Sequence, residues 1–227
     1  MKKLFSTLAV VALTALSLNA QQIKEGYVLY DMKIEGMPAE QAAMMGDMET
    51  KITFKNGKSL TEVTSMMYTQ QIAQDGSGGM LLLTEAMGNK TAVKMTKEDL
   101  DKEAEKSKDK NPEPKIEYIN ETKTIAGYEC KKAIITMVDK KKETKSEIWY
   151  CEKFENQNKD GKGKGMGVVK GLKGMPFEFS GEQGPMKIKM VAKEVSIDPV
   201  ADSKFELSTE GYKVMTMDEV KAMQGGK

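Results

Sequence analysis

Residues 51–63 read KITFKNGKSLTEV. Two extended runs flank Asn56-Gly57, the residue pair that best tolerates positive φ at both central positions of a type I′ turn. A hairpin is expected here. The plan repeats twice over residues 70–96, QQIAQDGSGGMLLLTEAMGNKTAVKMT, with turns at Asp75–Gly79 and at Gly88-Asn89. Strands joined by turns this short form an antiparallel meander. Upstream, GYVLYDMKIEG (26–36) alternates, with Val28, Tyr30, Met32 and Ile34 on one face. Downstream, IEYINETKTIAGYECKKAIITMV, KSEIWYCEKFE, PFEFSG, MKIKMVAKEVSI and SKFELS read as further strands.

Few segments break this pattern. Thr96 followed by Asp99 has the form of a helix N-cap with an acid at N3, and residues 97–115 are almost wholly charged, a solvated helix running into a linker. MDEVKAM (217–223) reads as a closing helix, and PAEQAAMMGDM (38–48) as a second helix or a long loop. Strands nearly throughout, with a few helical inserts, predict a mainly β fold. A single large antiparallel sheet of this length curls into an open half-barrel, with the short helices as its lid. Apolar residues fall on both faces of several strands, so each face needs a cover or borders a cavity.

The chain opens MKKLFSTLAVVALTALSLNAQQ. Lys2 and Lys3, the apolar run Leu4–Leu18 and the small residue Ala20 have the layout of a secretory signal peptide. Residues 1–20 are therefore expected to be removed, leaving residues 21–227 as one domain in the periplasm or outside the cell. Without Lys2 and Lys3 the 35 basic residues fall to 33, against 34 acidic ones. This near-neutral balance gives no nucleic-acid footprint.

Every basic residue is lysine, and histidine is absent. That removes Ser-His-Asp and Cys-His catalysis, histidine metal sites and arginine phosphate clamps together. No cofactor motif stands in their place, and the chain reads as a non-enzyme.

Cys130 and Cys151 are the two cysteines. A turn centred between Lys140 and Lys141 places them directly opposite in a hairpin, within disulfide range for a non-hydrogen-bonded pair. In an oxidising compartment such a pair closes as a structural bridge, with two free thiols, or a metal or redox pair, as the alternatives. Nineteen methionines admit three readings: core filling, a deformable wall for a hydrophobic ligand, or thioether coordination of Cu(I). The Lys/Gly-rich stretch 156–176 has neither a GxGxxG nor a P-loop pattern. It reads as a solvated loop that could touch an anionic membrane surface or an envelope protein.

Three blocks carry a resemblance: MLLLTEAMGNKTAVKMTKEDL, then ETKTIAGYECKKAIIT with EIWYCE, and DSKFELSTEGYKVMTMDE. The chain resembles the exported bacterial domain-of-unknown-function family DUF4412 over most of residues 25–220. More distantly it is similar to the periplasmic lipoprotein carriers LolA and LolB, whose fold is an unclosed antiparallel barrel with an apolar interior and a helical lid. This resemblance implies a protein that holds a hydrophobic or lipid ligand, without the arginine those carriers use in cargo transfer, and a monomer is expected. Candidate wall residues from the clearest strands are Leu81, Leu83, Met95, Ile135, Met137, Ile148 and Tyr150. The alternative from another class is a structural or interaction protein of the envelope with a filled core.

Overall fold

The computed structural model describes residues 22–108, 113–139, 142–157, 169–183 and 186–225. The expected signal peptide, the Lys140-Lys141 turn and residues 158–168 of the Lys/Gly-rich stretch lie outside them. Twelve strands form one sheet, curled but not closed. They are β1 (Glu25–Glu35), β2 (Met48–Lys55), β3 (Lys58–Thr64), β4 (Tyr68–Gln74), β5 (Met80–Ala86) and β6 (Asn89–Met95). The second group is β7 (Lys115–Ile125), β8 (Tyr128–Asp139), β9 (Lys142–Cys151), β10 (Met175–Gln183), β11 (Met186–Ser196) and β12 (Lys213–Thr216). The order across the sheet is β12-β6-β5-β4-β3-β2-β1-β11-β10-β9-β8-β7. All neighbours are antiparallel except β12, which joins β6 in parallel.

Local chemistry explains the turns. Asn56 and Gly57 have φ of 48° and 85°, the double positive φ that the β2–β3 hairpin requires. The β5–β6 turn uses Met87 and Gly88, with φ of 50° and 79°, one residue earlier than expected. Glycine takes the second turn position, and Asn89 opens β6 instead. Ala126-Gly127 repeats this arrangement between β7 and β8.

Three helices complete the described fold: α1 (Ala39–Met45), α2 (Lys97–Lys108) and α3 (Met217–Gly225). The Asp99 backbone N–H donates to Thr96 Oγ1 at 3.2 Å, and the Thr96 N–H donates to the Asp99 carboxylate at 2.9 Å. This reciprocal cap starts α2, and Thr216 with Glu219 starts α3 in the same way. Segment 203–208, expected as a strand, is instead a 3-10 turn (Asp202–Phe205) within a strap over residues 197–212. Phe205 has no ladder partner there and buries against Leu60 and Ala73. Lys55 Nζ donates to the Val200 carbonyl at 2.6 Å and Lys204 pairs with Glu62 at 3.2 Å, so the strap crosses β2 and β3 on its way to β12.

The main core lies on the other side of β1. Phe154 packs edge-on to Tyr128 at 4.9 Å and against Phe177 at 5.2 Å, with Phe54 at 6.2 Å. Each such aromatic pair contributes about 0.5–1.5 kcal/mol beyond burial. The strand expected to run on through Phe154 stops at Cys151, and Phe154 keeps only a parallel bridge to Ile23.

Candidate functional site

Side chains at paired positions of neighbouring strands share a sheet face. Following the pairs from β1 outward gives one continuous row: Val28, Ile52, Thr61, Ile72, Leu82 and Val93. Val28 is fully buried, whereas the other five are only half-buried.

A cavity of about 70 Å³ opens on this face. Its apolar lining includes Tyr30, Ile52, Ile72, Phe179 and Met190. Its polar lining includes Ser59, Gln74, Asn156 and Gln157. Apart from Asn156 and Gln157, which come from the segment after β9, the lining residues lie on six adjacent strands, β4 round to β10, and six strands converge on so small a space only if that face is concave. The cavity far exceeds the space one water needs. It is smaller than the roughly 300 Å³ of a pocket that encloses a whole drug-sized ligand.

Hydrogen bonds fix the rim. Tyr30 Oη donates to the Pro176 carbonyl at 2.8 Å, and burial pushes this phenol's pKa far above its ordinary value. It remains neutral. Ser59 Oγ bonds Gln74 Oε1 at 3.3 Å. Asn156, itself buried, donates from Nδ2 to the carbonyls of Val169 at 3.3 Å and Leu172 at 3.2 Å. The ends of the Lys/Gly-rich stretch therefore pack, contrary to a wholly solvated loop. Apolar Val169 and Leu172 join the core, and Tyr118 Oη donates to the Gly171 carbonyl at 3.1 Å. Gly174 returns the chain so close to β9 that a Cβ there would meet the Cys151 carbonyl oxygen at 2.2 Å.

None of the seven sequence-derived wall residues lines this cavity. Ile148 is paired with the lining residue Phe179 and so shares its face. Tyr150, Ile135 and Met137 follow on that face by strand alternation, Met137 being 49% exposed. Met95 pairs with Met80 and belongs to the Ile72 face. Leu81 pairs with Ala73, on the strap side, and Leu83 shares that face. Sequence reading missed Tyr30, Ile52 and Ile72 as a set because it did not extend the pairing across β1. A chain of opposed residues from the Asn56-Gly57 hairpin outward would have found the row.

The β8–β9 register pairs Lys131 with Tyr150, and the next step sets Cys130 opposite Cys151. The opposition matches expectation, yet both cysteines are free thiols, fully buried. The Cys130 thiol donates to the Tyr128 carbonyl at 3.6 Å, and the mutual influence of the two thiols pulls the Cys151 pKa down and pushes that of Cys130 up. Methionine is used in two ways, buried at Met95, Met175, Met190 and Met215 and exposed at Met66 and Met87. Among the described residues no cluster of three His, Cys, Asp or Glu side chains could hold a metal ion.

No protein-family profile matches the chain, and no curated protein matches it. Similar solved structures include PNGF-II in a C2 crystal form, with 14% identity and a TM-score of 0.44 over 88% of this chain and 32% of that one. PNGF-II in a P21 form gives 16% identity and a TM-score of 0.45 over 89% and 34%. The chain thus spans about a third of the length of those chains.

Proposed function

We propose that this protein is an exported, non-enzymatic binder of a hydrophobic or lipidic ligand, which it seats on the concave face of the half-barrel. The supporting observation is the cavity at β1–β4 together with the apolar row that continues from it, half-buried, through Leu82 and Val93. A filled core would bury that row, because leaving large aliphatic side chains in water forgoes roughly 1.5–3 kcal/mol each. A face kept apolar and part-open serves an occupant.

The test is titration with N-phenyl-1-naphthylamine, an uncharged apolar dye. Saturable binding by the wild type, abolished by Ile72→Lys with the fold intact, supports the reading. No binding by the folded wild type overturns it and favours an interaction protein. Export carries its own check. Protein from an envelope fraction should have an intact mass beginning at Gln21, and peptide mapping should find Cys130 linked to Cys151.

A further inference from the structure

We propose that the occupant is a single acyl chain with an uncharged hydrogen-bonding head, an ester, amide or alcohol, and not an ionised fatty acid. This rests on the binding role proposed above and names its ligand class.

The width of the row argues for one linear chain. On one flank the next row of the same face reads Thr50, Val63, Gln70, Thr84 and Thr91, polar at four of five positions. On the other flank Ser59 and Gln74 interrupt Phe54, Met80 and Met95. The track from Ile52 to Val93, apolar except at Thr61, is thus narrow, one residue wide at β3–β4 and widened by Met80 and Met95 at β5–β6. It crosses four strand intervals, roughly 19 Å at the usual spacing, the reach of a medium-length acyl chain. A broad, rigid ligand would press on the polar flanks.

The charge of the head follows from the lining. Ser59, Gln74 and Gln157 offer hydroxyl and amide groups, and among the described residues no charged side chain lines the cavity. Buried Thr50 adds to the same face a hydroxyl without a protein partner. The lysines of β2–β6 are engaged elsewhere. Lys51 lies over the Tyr27 ring, and Lys94 pairs with Leu81 on the opposite face. Lys55 and Lys58 reach Asp202 of the strap, and Lys90 reaches Glu85. A carboxylate placed here would lose its hydration and meet no cation among the described residues, which disfavours the ionised form strongly. An ester or amide would exchange water for the side-chain amides at little cost.

Calorimetric titration of the full domain with 1-monolauroylglycerol and with laurate, below their micelle concentrations at neutral pH, decides the matter. The monoester should bind at least about tenfold tighter, and acidification that protonates laurate should narrow the gap. Gln74→Lys should reverse the preference. Gln157→Lys repeats that test outside the strands should the first variant fail to fold. Equal affinities overturn the proposal and leave the binding role standing. So does failure of the monoester where naphthylamine still binds. If naphthylamine fails as well, the binding role itself has failed.

Discussion

On the two sides of β1 the same ladder is finished differently. Toward β7 the concave face is filled: Ala133, Ile135, Ile148, Tyr150 and Phe179 are all buried. Toward β6 the equivalent positions Ile52, Ile72, Leu82 and Val93 stay half-exposed. Strand composition does not separate the halves, since both are rich in aliphatic residues. The connections do. The segment after β9 lays Phe154, Val169 and Leu172 into the core and presents Asn156 and Gln157 to the cavity. The strap after β11 crosses the opposite face and buries Phe205 on Leu60 and Ala73. One half is covered from inside and the other from outside, so among the described residues the open part of the concave face runs mainly along β2–β6, with Met137 of β8 exposed at the end of its strand.

Substitutions test that contrast. The largest effect is expected at Phe154, fully buried and touching three aromatic rings. Phe154→Ala should cost about 3–5 kcal/mol in denaturant unfolding. A cost below about 1 kcal/mol would mean that the β7–β11 half is not the filled one. Next comes the Cys130–Cys151 pair. If oxidised after export, its loop of about 20 residues should contribute roughly 3 kcal/mol, read as the drop in Tm when reductant is added. Cys151→Ser should be insensitive to reductant.

Leu82→Ala, on the open side, should lose only about 1 kcal/mol, as befits a half-exposed site, while weakening naphthylamine binding several-fold. A large stability loss without a binding effect would erase the distinction between the halves. The smallest effect concerns the outer surface of the filled half, where Glu147 accepts from Lys132 at 3.0 Å and from Trp149 Nε1 at 2.8 Å. The Lys132 bond, then that of Trp149, holds the Glu147 pKa below its ordinary 4.5. A depressed carboxylate contributes stability above its unfolded pKa and loses it as pH falls through the folded value. Glu147→Gln should therefore lower Tm slightly at pH 7, and the gap to wild type should close as pH drops below 4.5.

The sequence announces the sheet because its signals are local. Asn56-Gly57 fixes a hairpin whatever surrounds it, and Thr96 with Asp99 caps α2 from within four residues. Met87 and Ala126 give no such signal, since a non-glycine residue at positive φ is tolerated only where the strands already demand the turn. The site was harder to read for a related reason. Tyr30, Ile72 and Met190 meet only because β1 pairs with β11, a contact that no local pattern reports. Phe205 was misread as a strand residue for the same cause. An alternating apolar–polar run looks identical whether it joins a ladder or lies across one.

That pairing also sets a schedule. Tyr27 waits for Ser196, so until β11 has emerged β1 has one bare edge and its apolar face lacks its final cover. Contacts this distant in sequence form late and slowly, and an unpaired edge is a template for the wrong partner. A nascent chain of this design stays adhesive until almost all of it is present.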